Sequence, residues 1–214
     1  MDLSRVDMLA AFAAVVGVWM CGILSLRTML WGLALQTALL GLVVFLHGQE
    51  VHVAHYLLLT GVVIGVKAVA IPVFLAWIAG RIEVLRDKGT GLNPTLTLFA
   101  GCGALAAGYF LTPSIRGLLS TDPGAAGMAL ALLLIGMLLM LTRRIAISQV
   151  VGFLVLENGI FLYALTQTHG MPLMVEMGVV FDVLVGVMVA GLVIFRLNRS
   201  FEHVDVTKLT GLQR

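Results

Sequence analysis

Long apolar segments, separated by short polar ones, run along the whole chain. Runs of about 20 residues with few charges cover residues 4–25, 28–46, 54–79, 94–112, 124–142, 145–166 and 172–196. An α-helix rises about 1.5 Å per residue, so each run is long enough to cross a hydrocarbon layer of about 30 Å. Pro94 and Pro172 stand at the start of two of the runs. Proline is favoured there because the first N–H groups of a helix make no hydrogen bond within the helix. The pattern predicts an all-α, polytopic membrane protein with about seven transmembrane helices.

The composition agrees with a membrane location. Of the residues 60% are hydrophobic and 11% are charged, and the mean hydropathy is +1.08, whereas about 25% of the residues in an ordinary soluble domain are charged. Cys21 and Cys102 both lie within apolar runs, so neither a disulfide framework nor a metal site is predicted. Because no phosphate-binding loop, zinc-protease motif or nucleophile elbow is present, we expect no catalytic residues and no cofactor in this chain.

The basic residues indicate how the chain is oriented. Thirteen Lys and Arg residues are present, and one of them, Lys67, lies inside the third run. If all seven helices cross, Arg5 and Arg116 fall on one side of the membrane. The others fall on the opposite side: Arg27, Arg81, Arg86, Lys88, Arg143, Arg144, Arg196, Arg199, Lys208 and Arg214. Because positive charge collects in cytoplasmic loops, the N-terminus is predicted outside and the C-terminus in the cytoplasm.

The chain divides into two blocks of predicted helices. Residues 1–80 form an N-terminal three-helix block, residues 81–93 a charged cytoplasmic loop, residues 94–196 a four-helix block, and residues 197–214 a polar cytoplasmic tail. Only Thr142, Arg143 and Arg144 connect the fifth and sixth predicted helices. Such a short connection predicts that these two helices are antiparallel neighbours.

Three ionisable residues lie deep in the apolar runs: Lys67, Glu157 and Asp182. Counted at about 1.5 Å per residue from the cytoplasmic helix ends, they lie roughly 18, 18 and 21 Å into the membrane. A lysine and two acids at one level near the midplane are typical of a lateral proton relay or ion path. A structural ion pair, in which Lys67 neutralises one acid so that the helices stay docked, explains the same pattern.

Three further residues are candidates in or near this path. Pro72 follows Lys67 in the third helix and cannot donate to the carbonyl of Ala68, so a helix kink is predicted there. Asn158 neighbours Glu157, and Glu176 lies one turn into the seventh predicted helix near the outer surface. Asn158 and Glu176 are the weaker candidates for the ion path.

The C-terminal part resembles a known family of membrane subunits. The segments RRIAISQVVGFLVLENGIFL and FDVLVGVMVAGLVIFRL and the tail HVDVTKLTGL resemble the K-type subunit of respiratory complex I, whose three helices would correspond to residues 124–196. On that resemblance Asp182, followed by Gly186, takes the second acidic position. Aligning Gly152 and Asn158 places Leu154 at the first acidic position, and Glu157, one turn further on, is its displaced equivalent.

The chain as a whole is similar to component E of hydrogenase-4, a membrane subunit of formate hydrogenlyase-type [NiFe]-hydrogenases. This resemblance implies a non-catalytic, multi-pass subunit in a bacterial or archaeal cytoplasmic (inner) membrane. The nickel-iron site and iron–sulfur clusters are then expected in partner subunits, alongside antiporter-like and other membrane-arm subunits. The chain would contribute to proton or sodium translocation. Two alternatives stay open: a C-type subunit of a multisubunit cation/proton antiporter, and a purely structural scaffold subunit.

Overall fold

The fold is all-helical wherever the structure describes the chain. A computed structural model describes residues 3–47, 53–81, 93–112 and 123–167 together with Gly178. The helices are α1 (Leu3–Cys21), α2 (Leu26–His47), α3 (Val53–Val62), a π-helical segment (Val63–Ala70), α4 (Ile71–Arg81), α5 (Pro94–Leu111), α6 (Pro123–Thr142) and α7 (Ala146–Gln167). Since α3, the π-helical segment and α4 follow one another without a break, they form one continuous third helix. The six helices correspond to the first six predicted from the sequence, with ends that differ by a few residues.

Five of these helices are long and apolar enough to span a membrane. They comprise residues Leu26–Leu46, Thr60–Gly80, Pro94–Leu111, Gly124–Thr142 and Ala146–Gln167. The protein is therefore a multi-pass helical membrane protein. The count of seven spans and the orientation of the termini stay predictions, because α1 is not among the five and the predicted seventh helix (172–196), apart from Gly178, lies outside the described residues.

The centre of the fold is formed by α1, α2, α6 and α7, which bury one another's apolar side chains. Met20, Leu33, Leu132, Ile135 and Leu162 are among the largest fully buried residues. The helices α3 to α5 pack at the periphery: the π-helical segment and α4 contact α2, and α5 contacts α1 and α6. The sites described below therefore lie either within the four central helices or where the third helix meets them.

The helices α6 and α7 pack closely against each other at glycines. A Cβ atom placed on Gly136 would lie 2.6 Å from the Cα of Leu156, and one on Gly152 would lie 2.8 Å from the backbone nitrogen of Met140. A Cβ on Gly159 would be equally close to the backbone nitrogen of Leu133. Lipid tails are as apolar as leucine, so close contact of small residues is a main source of attraction between membrane helices. The predicted pairing of these two helices is observed.

Arg143, in the connection between α6 and α7, has a buried side chain. Its guanidinium donates hydrogen bonds to the carbonyl oxygens of Met20 (3.0 Å) and Cys21 (2.9 Å), at the end of α1. The last carbonyls of a helix have no intrahelical partner, and a cation there also complements the helix dipole. Arg143 therefore fixes the α6–α7 connection against the end of α1.

The third helix departs from α-helical geometry immediately before Pro72. The backbone N–H of Ile71 donates to the carbonyl oxygen of Val66, five residues earlier, and the π-helical segment Val63–Ala70 ends there. Pro72 has no N–H to donate, so the regular hydrogen-bond pattern is interrupted at the same place. The π-helical segment carries Lys67, and π-helical turns of this kind frequently occur at functional sites. The predicted kink at Pro72 stays a prediction, since only the hydrogen-bond pattern is described.

Candidate functional site

A buried ion pair joins the third helix to α7. The ammonium nitrogen of Lys67 donates a hydrogen bond to Oε1 of Glu157 at 3.0 Å. The Lys67 side chain is only 5% exposed and that of Glu157 only 8%. The two residues lie 90 positions apart in the sequence, so their contact depends on helix packing and on no local pattern. The structure thus brings together two of the three ionisable residues that the sequence placed at one depth.

The side chain of Phe161 forms part of the environment of the pair. Phe161 follows Glu157 by one helical turn on α7, and the Lys67 ammonium lies 5.6 Å from the centre of its ring. This distance allows a cation–π attraction, which is strongest where water is excluded. The lysine is therefore held by a carboxylate on one side and an aromatic ring on another.

The two carboxylate oxygens of Glu157 differ in their contacts. Oε2 is buried and has no hydrogen-bond partner among the described residues, while Oε1 accepts the bond from Lys67. A Cβ atom on Gly178 would lie 3.3 Å from Oε1, so a glycine at this position leaves room beside the carboxylate. Buried polar atoms are seldom left unpaired, and an exception calls for a specific explanation. Oε2, which has no partner among the described residues, can accept a proton while Oε1 keeps its hydrogen bond from Lys67.

A second, neutral polar cluster lies next to the ion pair, on α7. The amide nitrogen of Asn158 donates hydrogen bonds to Oε1 of Gln36 (3.2 Å) and Oγ1 of Thr37 (3.0 Å). The amide nitrogen of Gln36 in turn donates to the backbone oxygen of Ala13 at 3.0 Å. Gln36, Thr37 and Asn158 are at most 1% exposed. The cluster therefore connects α7, α2 and α1 at the level of Glu157.

Gln36 and Thr37 were not predicted as site residues. A charge within an apolar run is the strongest sequence signal of an ion path, and these two side chains are neutral. A signal was present, because Gln36 and Thr37 are consecutive polar residues in the middle of the otherwise apolar run 28–46. Asn158, predicted as a weaker ion-path candidate, is found as the hydrogen-bond donor that holds α7 against α2.

The remaining predicted residues are placed as follows. Pro72 is buried at the start of α4, five residues after Lys67. Asp182 and Glu176 lie outside the described residues. Nowhere in the described ranges do three or more His, Cys, Asp or Glu side chains come together as a metal site would require. The relay through Lys67, Glu157 and Asp182 stays a prediction.

These features define a class of protein: a multi-pass helical membrane protein with an ion pair and a neutral polar cluster buried between its helices. Its family follows from comparison with known proteins. Over 194 residues, which are 88% of this chain and 87% of the relative, the chain is 33% identical to "Uncharacterized protein Rv0085" of Mycobacterium tuberculosis. The chain belongs to the family of that protein.

A more distant relative has a functional name. Hydrogenase-4 component E of Escherichia coli K12 is 24% identical over 148 residues, which cover 69% of this chain and 68% of the relative. The Shigella flexneri protein of the same name matches to the same extent. No family model matches the chain, and no solved structure matches it. The match agrees with the resemblance to hydrogenase-4 component E that the sequence motifs indicate.

Proposed function

We propose that this chain is a non-catalytic integral membrane subunit of a complex I-related [NiFe]-hydrogenase, of the hydrogenase-4 or formate hydrogenlyase type. It would help to assemble the membrane arm and would form part of a proton or sodium path, in a bacterial or archaeal cytoplasmic membrane. Oxidation and reduction would take place at nickel-iron and iron–sulfur centres of partner subunits. The observation that carries the proposal is the buried Lys67–Glu157 pair in a chain related to hydrogenase-4 component E.

The energetic cost of the pair supports a role beyond packing. A charged side chain at the centre of a membrane helix costs about 2.5–3.5 kcal/mol on insertion scales, and such residues usually mark ion or proton paths. The helices of this protein already pack through glycines and apolar side chains. Helix packing alone does not require a buried ion pair. The transfer of its two charges out of water costs free energy, which their mutual attraction must then offset.

The geometry suggests how the pair would handle a proton. A proton that arrives at Oε2 of Glu157 converts the carboxylate into a neutral carboxylic acid. The attraction between Glu157 and Lys67 then weakens, and the lysine can release its own proton or turn toward another acid. Asp182, which the sequence predicts at a similar depth, is proposed as the second proton holder. Loss of the proton from Glu157 restores the ion pair.

The structural alternative is favoured by one observation, the direct 3.0 Å contact itself, because an ion pair that only docks two helices has the same geometry. The two roles differ when both charges are removed together. Replacement of a buried ion pair by apolar side chains is often neutral or stabilising, whereas removal of one partner is costly. A purely structural pair therefore tolerates the double change Lys67→Met with Glu157→Leu, and an ion path does not.

The first test identifies the assembly. The full chain, tagged after Arg214, is purified in a gentle detergent, and the co-purifying chains are identified by mass spectrometry. Recovery of a [NiFe]-hydrogenase large subunit with antiporter-like membrane subunits is expected. Antiporter-like chains without redox subunits would replace the proposal with a cation/proton antiporter subunit. A protein that purifies alone would contradict both.

The second test addresses the ion path in the assembled complex. Proton translocation per catalytic turnover is measured in vesicles for Glu157→Gln and for the double variant Lys67→Met/Glu157→Leu. We expect assembly and hydrogenase turnover to persist while translocation falls in both variants. Lys67→Arg, which keeps the positive charge, serves as the matched control and should retain more of the translocation. Full translocation in the double variant would establish the pair as a docking contact only.

A further inference from the structure

An elongated groove opens on the outer surface of the helix bundle, between α2 and the third helix. Its volume is about 430 Å³, within the range of about 300–1,000 Å³ that is usual for ligand sites. Alanines contribute to both walls, and small side chains of this kind leave space between two helices. The residues on which the argument depends are Arg27, Trp31 and Ala34 on α2, and Val69, Pro72 and Val73 on the opposite wall.

The groove is apolar along its length and cationic at one end. Arg27 is the second residue of α2, whereas Ala34 lies two helical turns further into the span. This separation of seven residues corresponds to about 10 Å along the helix axis. Trp31 and Val73 are 72% and 62% exposed, so the groove is open toward the hydrocarbon region. The candidate membrane span of α2 begins at Leu26, so Arg27 lies at the end of the span, where lipid headgroups are expected.

Arg27 and Trp31 have no polar partner within the described part of the chain. Neither side chain takes part in a hydrogen bond or ion pair, in contrast to Arg143, whose guanidinium binds two carbonyl oxygens. Arginine is suited to phosphate because its donors match two phosphate oxygens at once. Tryptophan favours the membrane interface, where its ring is apolar and its N–H faces polar groups.

We infer that this groove binds one anionic phospholipid, with an acyl chain between α2 and the third helix and the phosphate on Arg27. Charge complementarity selects this occupant: a neutral apolar helix of a partner would fill the groove but would leave Arg27 without an anion. Basic pockets between membrane helices bind anionic headgroups by the same combination of forces. The inference is independent of the proposed hydrogenase assembly, since it concerns lipid in contact with this chain alone.

The lipid would lie directly behind the π-helical segment that carries Lys67. Val69 and Pro72, which line the groove, follow Lys67 by two and five residues. An acyl chain in the groove would therefore pack against the helical turn that sets the position of the lysine. A bound acyl chain would cover the side of the third helix that faces the groove, and would exclude water from that side of the ion pair.

Native mass spectrometry of the full chain, in whatever assembly it purifies with, tests the site. Dioleoyl-phosphatidylglycerol is compared with dioleoyl-phosphatidylcholine, which has the same acyl chains. We expect one phosphatidylglycerol to be retained preferentially, and Arg27→Gln to weaken its binding about fivefold, the equivalent of ~1 kcal/mol for one basic residue near a membrane surface. The matched control Arg144→Gln removes another exposed cation that does not line the groove, and should leave retention unchanged.

A second pair of variants tests the apolar part of the groove. Ala34→Phe places a large side chain in the groove and should abolish the preference for phosphatidylglycerol. Ala106→Phe adds the same side chain at an exposed position of α5 and serves as its control. If Ala34→Phe does not yield folded protein, lipid binding in the groove is measured by fluorescence quenching in a variant whose sole tryptophan is Trp31. Phosphatidylglycerol with brominated acyl chains should then quench Trp31 fluorescence more strongly than brominated phosphatidylcholine does.

Three results would overturn the inference. Equal retention of the two lipids shows that the groove does not select an anion. Binding that survives both Arg27→Gln and Ala34→Phe shows that the lipid lies elsewhere. A cross-link from a cysteine placed at position 34 to another protein chain, in the purified assembly, assigns the groove to a protein partner.

Discussion

Removal of one charge from the Lys67–Glu157 pair should destabilise the fold far more than removal of both. At 3.0 Å between Nζ and Oε1, two unit charges attract by about 5–6 kcal/mol at an effective dielectric constant of about 20. This attraction is offset by the cost of taking both charges out of water, so the net value of the pair is small. A single substitution, Lys67→Met or Glu157→Leu, leaves the other residue buried without this partner, at an expected cost of about 3–5 kcal/mol.

A double-mutant cycle gives the coupling energy between the two residues. The free energy of unfolding is measured by reversible transfer from mild detergent micelles to sodium dodecyl sulfate, with helix content followed by circular dichroism. We expect a coupling energy above about 2 kcal/mol, since neutral hydrogen bonds between membrane helices average only about 0.6 and reach about 1.7 kcal/mol. A cycle of Lys67→Met with Asn158→Leu is the matched control. Asn158 neighbours Glu157 but bonds to α2, so that cycle should be additive within about 0.5 kcal/mol.

The size of the coupling also reports the charge state of the pair at rest. A coupling of about 0.6 kcal/mol or less would refute the reasoning, because it is the value expected of a neutral amine beside a neutral carboxylic acid.

Three other changes have definite expected outcomes in the same unfolding assay. Asn158→Leu leaves its buried acceptors on α2 unpaired and should cost about 1–3 kcal/mol. A loss below about 0.5 kcal/mol, the size that is usual for surface changes, would mean that the cluster is not structural. Gly152→Val forces α6 and α7 apart and should cost at least about 1–3 kcal/mol, with Gly80→Val, whose Cβ would meet nothing within 4 Å, as its control. Arg143→Gln should cost about 1.5–3 kcal/mol, because two charge-assisted hydrogen bonds to the end of α1 are lost. Equal stability of Arg143→Gln and the control Arg144→Gln would contradict the proposed cap on α1.

The helices could be predicted from the sequence because membrane insertion depends on the apolar length of each run. The run 124–142 became α6 (Pro123–Thr142) and the run 145–166 became α7 (Ala146–Gln167), each within one residue or two. The third helix shows the limit of this argument. Its length was predicted, but its π-helical segment was not, because hydropathy says nothing about whether a carbonyl bonds four or five residues ahead.

The site was predicted in part, for a similar reason. Depth counting placed Lys67 and Glu157 at one level, since the rise of a helix is constant. Which residues then touch depends on helix rotation and order, and these follow from packing over separations of 90 residues or more. Arg143 illustrates the point, because its sequence position does not indicate that its guanidinium is buried against the carbonyl of Cys21, 122 residues earlier.

The sequence separation of the ion pair has a consequence for biosynthesis. Lys67 is synthesised 90 residues before Glu157, and at about 5–20 residues per second this delay lasts roughly 5–20 s. During that time the third helix must enter the membrane before Glu157 is available to pair with Lys67. The mean hydropathy of 2.3 over residues Thr60–Gly80 supplies the driving force for insertion in the meantime. Substitutions that make this helix more polar would therefore act on the nascent chain, and would reduce the yield of inserted protein even where the finished fold could tolerate them.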